Sequence, residues 1–478
     1  MKNIMKAVVP PASLTLLVAL TLPMVSAIAQ EKHYQVGLSK VDVTPEYPIR
    51  LNGFGFRREE SEGVSQSIFA KALAISEDGQ SPVVTVTVDN LGLRWRQTEA
   101  IAARLKESHQ LPRENFVLTF THTHCAPKVN GSSDNIFSEA IPQDHQQHID
   151  QYTEELLDRI TAAARQAIDN RRASTLHWGV GNVGFAKNRR TAGGPVDHDL
   201  PTLLVRDAQT RQIRGVYVSY ACHCVTLRFN RISGDWAGYA ADLIERQFPG
   251  SIAMVSIGTG SDQNPSEVSP DDVSVAQRQG NEIAAEVKRL SSLELKPLEG
   301  SPLAKLNTID LPLKEVPSRE QLAEIEKNGS RATDRYNATT QIARLDRGEA
   351  LPSRIEYAIQ TIAFGESLCM TFLAGEVCAD YGLRLKSELD RDRLWVHGYS
   401  NDFCCYIPSE RLLKEGGYGG GGEIPYFALP STLAEGLEQR IVDEVHRQVP
   451  EPFKTPKLSG TFGIATVARR IDARDEDA

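Results

Sequence analysis

Short apolar runs alternate with amphipathic stretches along most of the chain, and the two periods separate strands from helices. Tyr34–Val43 and Phe69–Ser76 are predicted strands. Val83–Val88 is β-branched and ends at Asp89, which predicts a buried strand delivering a carboxylate to a loop. Gln97–Ser108 is a predicted helix, Phe116–Phe120 the next strand, and Asp150–Asn170 a long amphipathic helix with its charges on one face. Strands are expected at Leu203–Arg206, Arg214–Tyr220 and Ile252–Ile257, and helices at Tyr239–Gln247 and Val273–Leu290.

From Pro297 to Arg354 the pattern changes. Pro302, Pro312, Pro317 and Pro352 surround a charged helical segment, which predicts an insertion or an excursion over the surface. Beyond it, Arg354–Phe364 and Ser367–Phe372 read as paired strands about a Gly365-Glu366 turn. Val377–Leu389 is a predicted helix, Leu394–Tyr399 a strand, and Ser431–Val449 the last helix. The charged tail, residues 471–478, is expected to be disordered. With no linker and no internal repeat, the pattern predicts one large α/β domain over residues 30–470, a mixed β-sheet flanked by helices.

The N-terminus follows a different logic. Lys2 and Lys6 precede an apolar run from about Leu14 to Ala27, and Ala27-Ile28-Ala29 has the small-x-small form of a cleavage site. A signal peptide over residues 1–29 is expected, with Gln30 as the new N-terminus. The run is shorter than the ~20 residues a spanning helix needs. The expected location is therefore periplasmic or secreted.

Composition narrows the function classes. The 478 residues are 41% hydrophobic and 24% charged, an ordinary globular balance. A chain this long buries a sizeable core without disulfides or a structural metal, so any metal is expected to serve chemistry. The net charge is -9 and no Lys/Arg-rich block occurs, which argues against nucleic acid as a partner. Of the seven cysteines, at least one stays unpaired if the others pair.

The strongest local feature is Thr121-His122-Thr123-His124, directly after a predicted strand. Residues two apart on a strand face one side, so a continuing strand would point both imidazoles into one space. The pair then suits two metal ligands, one ligand beside a general base, or simply two hydrogen-bonded histidines. His223 follows a second strand in Ala221-Cys222-His223-Cys224, and Asp235 opens a turn into a helix that it can cap. Glu376, in Leu373-Ala374-Gly375-Glu376, either complements a helix N-terminus or ligates a metal at a sheet edge. Tyr406, in Asn401-Asp402-Phe403-Cys404-Cys405-Tyr406, reads on its own as a core tyrosine.

In this order the segments resemble the neutral (non-lysosomal) ceramidase family. The likeness runs from Gly37–Pro45 and Gly53, through the His-x-His element, Asn188-Arg189, His223 and Gly234–Ala240, to Gly375-Glu376, Asn401–Ile407 and Tyr418. In that family two histidines, a glutamate and a tyrosine hold one zinc ion. The resemblance implies His122, His223, Glu376 and Tyr406 for these ligands, His124 as the catalytic histidine, and Arg189 and Tyr418 as groups that polarise the substrate. It also implies amide hydrolysis of ceramide or a related lipid or small-molecule N-acyl amide, with zinc-bound water as nucleophile. If the flanking segments are extended, Cys125, Cys222 and Cys224 point away from the histidines and pack behind them. A thiolate-rich metal site from Cys222, Cys224, Cys404 and Cys405 is the rival arrangement, though their spacing is unusual for zinc.

Three departures bear on the substrate. The family's Asn-x-Gly-Asp-x-Ser-Pro segment corresponds to Gly258–Pro265, which places Asn264 where the family has serine and favours water over a serine nucleophile. The family usually carries a C-terminal immunoglobulin-like domain, whereas this chain stops soon after its last predicted helix. Peripheral membrane contact that depends on such a domain is therefore unsupported. The loop after Tyr406 is glycine-rich over Gly416–Gly422, and such loops shape substrate pockets. Two other functions fit the same residues: an exported metal-containing binding protein without catalysis, and a zinc hydrolase of esters or phosphates.

Overall fold

The computed structural model describes residues 32–456 together with Met1, Ala7 and Val8. Apart from those three residues, the expected signal peptide lies outside the described residues, as does the expected tail. The chain opens with β1 (Tyr34–Asp42), β2 (Phe69–Ser76) and β3 (Val83–Val88), then α1 (Trp95–His109), β4 (Phe116–Phe120) and α2 (Gln143–Asp169). All six residues of the Val-Thr run in β3 are buried, as its β-branched sequence predicts. In α2, Ile149, Tyr152, Leu156, Ile160, Ala163 and Ala167 recur at helical spacing and are buried against the sheet.

Next come β5 (Arg172–Asn182), β6 (Ala186–Asn188), β7 (Asp199–Asp207) and β8 (Ile213–Tyr220). They are followed by α3 (Asp235–Gln247), β9 (Ile252–Ile257), β10 (Gln263–Pro265), α4 (Val273–Ser291) and β11 (Lys296–Pro297). The first sheet runs β4-β3-β2-β1-β5-β7-β8-β9, with β11 added beside β5. It is mixed: β3 pairs β4 in parallel and β8 pairs β9 in parallel, while the other neighbours are antiparallel.

The remaining elements are β12 (Pro302–Pro312), α5 (Arg319–Asn328), α6 (Ala332–Asp346), β13 (Arg354–Phe364), β14 (Leu368–Leu373) and β15 (Glu376–Val377). After them come α7 (Ala379–Glu388), β16 (Leu394–His397), β17 (Tyr406–Ile407), α8 (Glu410–Glu415) and α9 (Leu437–Gln448). Strands β12-β13-β14-β16 form a second sheet, with β14 and β16 parallel. The Pro297–Arg354 stretch is thus not an excursion as a whole. β12 pairs with β13 along its full length, and its prolines sit at the strand ends, where a missing amide costs least. Only α5 and α6 leave the sheet.

The two sheets face each other. Val36, Leu38, Tyr217 and Met254 of the first pack with Ile362, Met370 and Phe372 of the second. Trp178 meets Trp395 edge-on across this layer at 6.1 Å, a pairing worth about 0.5–1.5 kcal/mol beyond area burial. A second cluster, built from α1 to α4, covers the outer face of the first sheet, and a third, with α7 and α9, covers the outer face of the second. The result is helix, sheet, sheet, helix in one α/β domain. No helix among the described residues is long and apolar enough to cross a membrane.

At one end the sheets are stitched together. The amide of Phe120, at the end of β4, donates to Tyr399 beyond β16 (3.1 Å), and Asn401 donates back to Leu118 (2.7 Å). The segments leaving β4, β8, β14 and β16 therefore emerge side by side.

Candidate metal centre

All seven side chains nominated from the sequence meet at this end. His122 and His124 do meet, though not by strand alternation. β4 stops at Phe120, and His122 adopts φ 55, a left-handed conformation uncommon for a residue with a side chain. The turn folds the segment so that Nε2 of His124 lies 3.2 Å from Nε2 of His122. The amide of His124 donates to the Cys224 carbonyl (3.2 Å), and that of His223 to the Gln263 carbonyl (2.8 Å), which ties the two histidine segments and the β10 strand together. Asp235 does not act as a simple cap. It is the first residue of α3 at φ 53, and its buried carboxylate accepts from the amides of Leu227 (2.9 Å) and Trp236 (2.5 Å). Trp236 in turn donates its indole N–H to the His223 carbonyl (2.9 Å).

Glu376 and Tyr406 are brought together by a two-residue parallel ladder. β15 pairs with β17 so that they stand directly opposite each other. The expected helix at Val377 accordingly begins only at Ala379, because the preceding residues are committed to this pairing.

The donor atoms converge. Oε2 of Glu376 lies 3.3 Å from Nε2 of His122 and 3.1 Å from Nε2 of His223. The Tyr406 hydroxyl lies 3.5 Å from Nε2 of His223. Ligands about 2.0–2.1 Å from a tetrahedral ion stand roughly 3.3 Å apart, so this spacing suits one ion. The three imidazoles offer ring nitrogens all within 4.8 Å of one another. Their far nitrogens are occupied in two cases: Nδ1 of His122 faces the Leu91 carbonyl (2.8 Å) and Nδ1 of His223 faces the Gly260 carbonyl (2.9 Å). A carbonyl can only accept, so each Nδ1 carries the proton and each Nε2 turns a lone pair inward.

Two imidazole lone pairs aimed at a buried carboxylate oxygen that has no hydrogen-bond donor form a set of acceptors lacking a cation. Charging the rings is not an easy remedy. Burial, with help from Arg189, lowers His223 to about 4, and burial and the neighbouring His122 and His223 hold His124 well below its ordinary value. Burial pushes the Glu376 carboxyl up, and only positive charge at the His122 and His223 side of the cluster brings it down; with both Nε2 atoms unprotonated, a bound cation would supply that charge. The donor set fits a divalent ion that accepts nitrogen and oxygen ligands.

Arg189 is half-buried and donates to the Tyr406 hydroxyl at 3.1 Å. Its guanidinium carbon lies 4.9 Å from the centre of the Tyr418 ring. The Tyr418 hydroxyl reaches the Tyr406 hydroxyl at 3.1 Å, while 44% of the residue stays exposed at the mouth of the cluster. Arg189 is set by the β6–β10 ladder and by its amide, which donates to Asp262 (2.8 Å). The Asp262 carboxylate accepts from the Asn188 side chain (2.9 Å) and from the amide of Ala379 at the start of α7 (2.8 Å). Asn264, two positions beyond Asp262, pairs in register with Lys187.

The sequence reading missed Tyr399. Its ring lies 4.5 Å from that of His122 at a 41° tilt, its hydroxyl lies 3.4 Å from Nδ1 of His223, and it holds φ 48. No motif marks it. The carbonyls of Leu91 and Gly260 carry no side-chain signal at all. The seven cysteines are all buried and unpaired, and among the described residues they form no metal cluster. Cys125, Cys222 and Cys224 pack in the core behind the histidines, in turns rather than strands. The surface grooves beside α5 and beside β12 share no residue with the cluster.

Residues 34–287, more than half of the chain, match the family model described as neutral/alkaline non-lysosomal ceramidase, N-terminal. The chain belongs to this family. The matched region includes His122, His124, Arg189 and His223, whereas Glu376, Tyr406 and Tyr418 lie beyond it. The chain is 23% identical over 264 residues to a neutral ceramidase of Drosophila pseudoobscura pseudoobscura, covering 50% of this chain and 36% of that protein. It is 24% identical over 268 residues to the neutral ceramidase of Drosophila melanogaster, with the same coverage. The match thus spans about a third of the length of these curated relatives. Among solved structures, the neutral ceramidase from Pseudomonas aeruginosa superposes with a TM-score of 0.66 at 17% identity, covering 91% of this chain and 76% of that one. This likeness shows a shared fold.

Proposed function

We propose that the chain is an exported zinc-dependent amidohydrolase that cleaves the amide bond of ceramide or a related N-acyl amide. The observation that carries the proposal is the convergence of His122, His223, Glu376 and Tyr406 on one point, each from a different segment, with both Nδ1 atoms pinned to carbonyls. These four residues would hold the ion. When bound, zinc polarises the scissile carbonyl and makes water a nucleophile near neutral pH.

The chain's own groups supply the rest. His124, unprotonated and at the edge of the cluster, accepts a proton from the attacking water and returns it to the departing amine. Arg189 and Tyr418 both reach the Tyr406 hydroxyl, and from there they would donate to the carbonyl oxygen as charge develops on it. Tyr418, exposed beside the buried cluster, marks the side from which a substrate would approach. The relatives named neutral ceramidase favour ceramide, and the short alignment to them leaves smaller N-acyl amides as part of the same proposal.

Incubation of the purified protein with ceramide and with short N-acyl amines, with and without a chelator, tests this reading. Chelator-sensitive release of free amine is expected. Chelator-insensitive hydrolysis, or hydrolysis confined to esters or phosphates, would overturn it. Export is proposed from the expected leader at residues 1–29 and predicts a mature protein beginning at Gln30, which N-terminal sequencing reads directly.

A further inference from the structure

The loop that carries Tyr418 has an unusual backbone. Gly416, Gly417, Gly419 and Gly421 all adopt positive φ, between 66 and 119°, conformations that residues with side chains rarely hold. Such a run turns successive amides inward and makes a concave array of N–H groups that attracts an anion. The acceptor here is internal, the Glu423 carboxyl, which burial pushes up to about 7. Glu423 is fully buried, and its Oε2 accepts from the amides of Gly419 (2.7 Å) and Gly421 (3.3 Å). Its Oε1 is buried without a hydrogen-bond partner. A carboxylate left half-satisfied in the interior is costly, so its placement calls for a return elsewhere.

The geometry assigns that return to Tyr418. Residue 418 immediately precedes the Gly419 amide that Glu423 grips, and its hydroxyl is the one that reaches Tyr406. The other flank of the loop is held by Arg190, which donates to the Gly416 carbonyl at 2.8 Å and neighbours Arg189 in sequence. A glycine-rich loop without an internal anchor has little reason to keep one tyrosine over one atom, because glycine has the most conformational freedom to lose. We propose that Glu423 is a positioning residue: its carboxylate fills the amide nest of the glycine-rich loop and thereby fixes the Tyr418 hydroxyl beside the metal cluster. This rests on the reading of Tyr418 as a donor to the developing oxyanion.

The test separates that role from general stability and from the function itself. In the zinc-loaded wild-type protein, the Gly419 and Gly421 amides are expected to resist hydrogen exchange, and in Glu423→Ala they exchange at least about 100-fold faster. Wild-type amides that exchange as fast as those of the variant overturn the proposal, whatever the protein hydrolyses. On an N-acyl amide substrate, Glu423→Ala is expected to lower kcat about 100-fold with KM and zinc content near those of the wild type. Glu423→Gln, which keeps the shape and one neutral acceptor, is expected to recover roughly tenfold of that loss and carries the test should the alanine variant not fold. In a Tyr418→Phe background the loss caused by removing Glu423 should vanish, since both act through one hydroxyl. An undiminished loss in that background, or loss of zinc with the carboxylate, overturns the assignment. Absence of any amide hydrolysis in the wild type would refute the function and leave the exchange result to decide the anchor.

Discussion

Gly53 offers a way to move His124 without touching it. The residue sits at φ 91, and a Cβ built on it would lie 2.5 Å from Cγ and 2.6 Å from Nδ1 of the His124 ring. Carbon atoms in ordinary contact stand about 3.5–4.0 Å apart, so Gly53→Ala must push the imidazole by roughly 1 Å. A misplacement of about 1 Å in a catalytic group costs on the order of 100-fold in rate, equivalent to about 2.7 kcal/mol in the barrier. The positive φ adds about 1–2 kcal/mol of backbone strain, too little to unfold a chain with three buried clusters. The expected outcome is a fall in kcat of about 100-fold, with bound zinc still near one per chain and the unfolding temperature lowered by a few degrees. Turnover of a soluble N-acyl amide, elemental analysis and a thermal melt read these together. Activity within about threefold of wild type would refute a role for His124 in proton transfer. Zinc lost together with activity would instead make His124 a ligand.

Three further outcomes follow from the geometry. Glu376→Gln removes the carboxylate charge set against His122 and His223, and zinc affinity should drop by well over the 10- to 100-fold typical of outer partners, measured by competition with a chelator of known strength. Arg189→Lys keeps the charge but loses the planar fork against Tyr406 and Tyr418; kcat should fall on the order of 100- to 1,000-fold with the metal retained, read from steady-state kinetics. Lys386 is buried between Asp197 (2.6 Å) and Asp199 (2.9 Å), and burial's upward push on Asp199 is outweighed by Lys386 and Arg391, which hold it below its usual range. A depressed carboxyl contributes stability above its unfolded pKa of about 3.9 and loses it as pH falls through the lower folded value. Lys386→Ala should therefore cost about 3–5 kcal/mol at neutral pH and much less near pH 3, by urea unfolding at both; an equal cost at both would contradict the pairing.

Much of this was legible in the chain, and the gaps have physical reasons. β2, β3, β4 and β9 coincide with their apolar runs because both faces of those strands are covered, so the run itself is the strand. β5 was missed because Gly179 and Gly181 interrupt it and half of its positions face outward. α2 begins at Gln143, seven residues ahead of the expected start, because its first turn is polar and only later positions reach the sheet. α9 begins at Leu437, after Gly436 at φ 89, although the apolar spacing runs on from Ser431. At the centre, the side chains with distinctive chemistry were visible and their meeting was not. The left-handed turn at His122, the two-residue ladder joining Glu376 to Tyr406, and the carbonyls behind each Nδ1 are properties of the folded backbone.

Anomalous diffraction at the zinc edge, from crystals grown with the metal, addresses the central claim most directly. One peak is expected about 2.0–2.2 Å from Nε2 of His122, Nε2 of His223 and a carboxylate oxygen of Glu376, with the Tyr406 oxygen in contact and Nε2 of His124 outside bonding distance. A peak elsewhere, no peak at these side chains, or His124 bound in place of Tyr406 would contradict the account.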